Sequence, residues 1–303
     1  MKKINLLAGL LLFSLCGYSQ TMNVGLRGGL SVPNIVAGGD NPLSTGYTSH
    51  VAGEGGIFAE MELNNHVAFR LGVEYSGQGG RRNGMQGMPS EPMMEQMKPL
   101  TEQMITNLTN AVTSGEISRE TAASLGGLMS NMPNIFYADV KNTAEFDYLM
   151  IPISVQIGTD ASKRWRVYAN AGPFVSFLLH GKQITKGSSN IYMDKGKSKT
   201  VWSNIPAEMM SLIEMIAPEK LQAIIQNGTD FTGTQDITQD LNPVNAGIQG
   251  DIGLAYRCNR HKIFVEVGGN YGFIKMQKNT DNGSNRIGAA TVMLGYAFRM
   301  GQI

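Results

Sequence analysis

Cysteine is almost missing from this 303-residue chain, with only Cys16 and Cys258 present. Residues 1–19 read as an export signal. Lys2 and Lys3 form a positive start, 4–15 an apolar core, and Gly17-Tyr18-Ser19 a small-x-small cleavage site. Cleavage leaves Gln20 first and Cys258 alone, which excludes an intramolecular disulfide and a cysteine-built zinc site. Lipidation at Cys16 is the weaker alternative, because Leu15 rather than a small residue precedes it. Long apolar runs are also lacking. The signal core is shorter than the roughly 20 residues a membrane helix needs, and no later segment approaches that length. An excess of one charge is lacking too. The formal net charge is +1, so there is no basic surplus to suggest a nucleic-acid partner.

What the chain does have is glycine, 37 residues, well above the roughly 7% of average usage, and a pervasive period of two. In 146–179, Leu149, Ile151, Ile153, Val155 and Ile157 alternate with Met150, Pro152, Ser154, Gln156 and Gly158. After 160–164, Val167, Ala169, Ala171, Val175 and Phe177 alternate with Arg166, Tyr168, Asn170, Gly172 and Ser176. Such alternation marks strands with one apolar and one polar face. Similar segments lie at 22–31, 50–63, 67–78, 246–257, 262–273 and 286–300, making eight with the central pair. Their connections alternate between short (64–66, 160–164, 258–261) and long (32–49, 79–142, 181–245, 275–285). A meander with all its tight turns at one end produces this, as transmembrane barrels do with strands of about 9–11 residues.

The sequence therefore predicts an all-β fold: an eight-stranded antiparallel up-and-down transmembrane β-barrel with two long, partly helical extracellular loops. Residues 20–303 form a single domain, with loop insertions at 79–142 and 181–245. Helices are expected over 99–114 and 118–129, with Ser118 as N-cap. Two shorter ones start near Pro206 and Pro218, and Asn227-Gly228 ends the second. These pieces are placed to cap the barrel mouth.

The polar face carries Arg27, Arg70, Arg166, Arg257 and Arg299 together with Glu54, Glu60, Glu74, Asp251 and Glu266. Balanced signs suit a closed interior, where an unpaired buried charge is costly. Glycines on the same face relieve crowding in a lumen that eight strands leave just wide enough for side chains. The apolar face places Tyr256, Tyr296 and Phe298 at the short-turn end and Tyr75, Phe177 and Phe273 at the long-loop end. Two such aromatic girdles are expected at membrane interfaces, so the apolar face is read as outward.

With Tyr148-Leu149-Met150-Ile151-Pro152-Ile153 and Ala171-Gly172-Pro173, the chain resembles the bacterial outer-membrane β-barrel domain family, often labelled porin family or OmpA/OmpX-like. The likeness spans 22–300 and is interrupted by the two enlarged loops. Many members carry an acidic residue where Met150 stands, and many end in an aromatic residue where this chain ends Gly301-Gln302-Ile303. The resemblance implies an outer-membrane location in a Gram-negative cell and no settled biochemical activity.

Three constellations remain open. The interior charges are either a structural filling or a gate for small ions in a narrow channel. Met85, Met88, Met93, Met94 and Met97 offer soft thioethers suited to Cu(I), or adaptable apolar surface for loop helices or a partner. A lipid-modifying enzyme would need a serine and a histidine together. Ser176 and His180, read as both facing inward, are separated by about 13 Å along a strand, while His50 lies three strands away. No catalytic residue and no cofactor is assigned. The expected partners are outer-membrane lipid and a surface ligand or protein met by the long loops. The expected role is structural or surface-interacting.

Overall fold

The period-two segments close into a ring. The computed structural model describes residues 21–40, 45–130, 133–203, 205–279 and 283–300. The expected export signal, Cys16 and the three C-terminal residues lie outside the described residues. The first half of the chain forms β1 (Thr21–Val36), β2 (Ala52–Glu62), β3 (Val67–Pro89), α1 (Ser90–Thr113), α2 (Arg119–Ser130), β4 (Ile135–Gly158) and β5 (Trp165–Lys186). The second half forms β6 (Ser188–Ser189), α3 (Ala207–Ile216), α4 (Glu219–Asn227), β7 (Thr229–Asp230), β8 (Gly233–Asp236), β9 (Val244–Cys258), β10 (His261–Gly272) and β11 (Arg286–Met300). The sheet order is β4-β3-β2-β1-β11-β10-β9-β5, and β4 pairs back onto β5 to seal the barrel. Every pairing in the ring is antiparallel. No helix among the described residues is long and apolar enough to cross a membrane.

The wall is inverted relative to a water-soluble core. Leu26, Ile57, Ile157, Ile252, Ile263 and Leu294 are exposed, whereas Asn23, Glu60, Gln156 and Glu266 are almost wholly buried. The six aromatic residues assigned to the girdles all point outward. Trp165, not recognised in the sequence, joins the short-turn ring by packing on Tyr256 with ring centroids 4.9 Å apart. Inside, glycines make room for large side chains. A Cβ at Gly295 would fall within the Phe264 ring, and one at Gly253 within the Tyr168 ring.

Four strands run further than the apolar alternation indicates, the first being β1, which stays paired with β11 past residue 31 to Val36↔Arg286. β3 and β4 stay paired from Gly79↔Glu145 to Pro89↔Ile135, so the 79–142 insertion begins as strand rather than loop. Residues 79–89 are glycine-rich and polar, which leaves no period to detect. On the β4 side, Phe136, Ala138, Val140 and Ala144 are buried. β5 continues to Lys186 and takes β8 along its edge. At Asp147/Tyr148 the β4–β5 register shifts: His180 faces Asp147, Leu178 faces Tyr148, and Leu179 is the extra residue. A bulge of one residue reverses every later side chain. His180 is consequently exposed, while Ser176 stays buried. The inward placement of His180 expected from parity is thereby corrected.

The loop helices begin where their caps stand, except the first. Ser118 Oγ accepts the Thr121 amide at 3.1 Å, Pro206 and Pro218 precede α3 and α4, and Gly228 ends α4 at φ 78°. α1 starts at Ser90 instead of Pro99 and contains that proline. Proline lacks the N–H that would bond four residues back, so the helix runs past Pro99 with one hydrogen bond fewer. Met104, Ala111 and Ile117 from the first insertion pack with Ile213, Ile216 and Leu221 from the second, and Asn107 Nδ2 donates to the Ile216 carbonyl at 2.7 Å. A second buried apolar cluster, of Ile35, Phe146, Tyr148, Leu241, Met276 and Ile287, lies toward the long-loop end of the barrel.

Candidate functional site: an ion-paired lumen

The barrel axis is occupied by salt bridges that tie the strands to one another. Arg27 on β1 grips Glu74 on β3 with two hydrogen bonds, Nε to Oε1 at 2.7 Å and Nη2 to Oε2 at 2.9 Å. Its Nη1 reaches Glu266 on β10 at 2.8 Å, with Asp251 on β9 at 3.7 Å. Arg70 on β3 donates to Glu60 on β2 at 2.9 Å and to the other Glu266 oxygen at 2.6 Å. Glu266 also accepts from the Tyr168 hydroxyl at 2.9 Å and Asn170 Nδ2 at 3.0 Å, both on β5. Gln156 on β4 bridges Glu60 and Asn170. The guanidinium of Arg70 lies 4.6 Å from the Phe58 ring centroid, and Phe58 meets Phe264 edge to face at 5.7 Å. Charge-assisted, bidentate bonds of this kind are the strong ones. In a lumen without room for bulk water, they replace an apolar core.

Period two found most of these residues and missed two. Glu62, two places beyond Glu60, pairs with Arg257 and with Arg299 Nη2 at 2.8 Å. Lys262, four places before Glu266, is buried and paired with Glu60. Continuing the alternation to the strand ends would have included both. The structure does not bring Glu54 and Arg166 into close ion pairs with the described residues. Glu54 is buried opposite Ser76. Arg166 donates Nη2 to the His66 carbonyl at 3.2 Å and lies 5.9 Å from the Tyr168 ring centroid. Toward the long-loop end, Ser76, Gln78, Asn245 and Asn270 line a small polar chamber with Tyr148, Phe174 and Ile287.

The methionine set is divided. Met85 and Met88 sit on β3, three positions apart and so on opposite strand faces. Met93, Met94 and Met97 belong to α1, and Met97 packs against the apolar cluster of the loop helices. Ser176 and His180 occupy opposite faces of β5. The His180 ring instead lies 3.8 Å from Asp236 on β8.

An up-and-down barrel that buries charge along its axis and presents aliphatic side chains outward, between two aromatic rings, is an outer-membrane barrel. Residues 18–278 match the model of the outer membrane protein beta-barrel domain family, and this chain belongs to that family and to the outer membrane. A comparison with curated protein sequences finds no match. Solved structures that align with it include Ail, the attachment invasion locus protein of Yersinia pestis, in complex with the heparin analogue sucrose octasulfate. It is 10% identical, covers 92% of this chain and 99% of that one, and has a TM-score of 0.31. Neisserial surface protein A is 11% identical over 92% and 97%, with a TM-score of 0.32. OprG from Pseudomonas aeruginosa is 8% identical over 93% and 98%, with a TM-score of 0.34.

Proposed function

We propose that this protein is a closed barrel whose work is done outside the membrane by its long loops, in a structural or surface-interacting role. The observation that carries this reading is the Glu74–Arg27–Glu266–Arg70–Glu60 chain, which crosses the lumen from strand to strand with each partner buried. The buried apolar cluster toward the long-loop end supports the same reading. The two insertions are joined through their helices, so they offer a shared, shaped surface in place of two independent floppy tips. A narrow channel for small solutes is the competing reading, favoured by the polar chamber toward the long-loop end. Planar-bilayer recording separates the two. The purified protein is expected to give no stable conductance. Steady open steps of nanosiemens size would reject the closed-barrel reading.

A further inference from the structure

The outward wall changes character at one level. On β4, Leu149, Ile151, Ile153, Val155 and Ile157 face lipid below, while Asp147, Glu145, Lys141 and Asp139 occupy the same face above. On β5, Val175 and Phe177 give way to His180, Lys182 and Lys186. The face is continuous, so a lipid lying against its lower part brings its headgroup against its upper part.

Three of the charges there are in no ion pair among the described residues: Asp147, which accepts the Tyr75 hydroxyl, and two lysines. Lys182 pairs with Glu145 at 3.0 Å and Lys197 pairs with Asp139. In each case the carboxylate partner's hydrogen bond and charge raise the ammonium above its ordinary value. Lys141 and Lys186 stand directly opposite each other in the β4–β5 register. Both are exposed, and neither is in an ion pair among the described residues. Like charges directly opposed across strands are destabilising, so this pair costs the hairpin stability unless an anion lies between them. Lys197 is held close by. Its backbone is left-handed, at φ 61°. The turn is fixed by Asp194, which accepts the Ser198 and Lys199 amides at 3.2 and 2.9 Å.

Height selects the anion. Lys182 lies opposite Glu145, four residues above Leu149, which is opposite the girdle residue Phe177. With about 3.3 Å per residue and a strand tilt of about 40°, Lys182 stands roughly 10 Å above the girdle and Lys141 and Lys186 roughly 20 Å. That range holds the headgroup and first sugars of an outer-leaflet glycolipid. We propose that this face of the β4–β5 hairpin docks the phosphorylated saccharide headgroup of that glycolipid. Lys141 and Lys186 hold one phosphate between them, with Lys197 beside it. Lysine serves phosphate as a compact point charge with rotatable donors.

The test uses the full protein in detergent micelles, with folding verified by its heat-dependent gel shift and purified lipopolysaccharide as probe. K141Q/K186Q is expected to weaken binding about tenfold. K141R/K186R and the helix control K98Q/K220Q are expected to keep wild-type affinity. Dephosphorylated lipopolysaccharide should bind the wild-type protein no better than the intact glycolipid binds K141Q/K186Q. Equal affinity of wild type and K141Q/K186Q for the phosphorylated glycolipid would overturn the proposal. So would equally tight binding of the free, deacylated phosphorylated oligosaccharide, because the face would then belong to a soluble polyanion.

Discussion

Replacing Glu266 with alanine is expected to lower the unfolding free energy of the lipid-embedded barrel by about 3–5 kcal/mol, the range for breaking a buried ion pair from one side. The side chain is completely buried and accepts from Arg27, Arg70, Tyr168 and Asn170. Alanine leaves one donor on each of the two guanidiniums without its acceptor, in a lumen too full to hydrate them. Urea titration in lipid vesicles, followed through Trp165 and Trp202 fluorescence and gel mobility, measures the loss. A triple variant, Arg27→Met, Arg70→Met and Glu266→Leu, sharpens the argument. Removing charges together and refilling the volume with apolar groups is often neutral, but here it leaves Glu60 and Glu74 with fewer donors. The triple variant is therefore expected to lose less than the sum of its single changes, with Lys262 still holding Glu60. A Glu266→Ala loss within about 0.5 kcal/mol of zero, the size of a typical surface substitution, would show that the network is not what holds the barrel shut.

How far the sequence could be read depended on what each residue faces. Where one strand face meets lipid and the other the lumen, the two environments differ in kind. Period two then placed residues such as Leu149 and Gln156 on their proper sides. Where the strands leave the bilayer, that contrast weakens. Residues 79–89 are polar and glycine-rich, so the β3 half of the extension carries no apolar period. On the β4 half, by contrast, Phe136, Ala138 and Val140 alternate with Tyr137, Asp139 and Lys141 and were legible. The Leu179 bulge was hidden for a related reason: a bulge is an insertion in pairing, and pairing is a property of two strands rather than one. The interior charges were legible because arginine and glutamate on a barrel's polar face have few other places to go. Their partners were not, because Glu54 and Arg166 carry the same residue types as Glu74 and Arg70 and differ only in what stands across the lumen. The joining of the two insertions was equally invisible, since Met104 and Ile213 come from separate loops whose helices are each ordinary alone.

Ile252→Arg separates a membrane wall from a surface that merely happens to be greasy. The residue is 67% exposed and sits opposite Ala169 and Val267. It lies four residues along β9 from Tyr256 in the short-turn ring. On the far side, Ile248 pairs with Tyr271, which packs on Phe273 of the long-loop ring. An exposed isoleucine on a water-soluble protein loses almost nothing on becoming arginine, typically within about 0.5 kcal/mol. At the bilayer midplane the same change costs about 2–4 kcal/mol, because the guanidinium must drag water in or reach for the headgroups. A second position calibrates the depth. Tyr296→Arg, in the short-turn ring, is expected to cost about 0–1 kcal/mol from the charge itself, plus the aromatic contact of Tyr296 with His261, whose rings lie 5.9 Å apart. Folding titrations of both variants in vesicles measure this gradient. Equal, near-zero costs at the two depths would mean that the apolar face does not meet lipid. The buried salt bridges would then stand in for the core of a water-soluble barrel, where well-packed apolar side chains of similar volume are often as stable or more so.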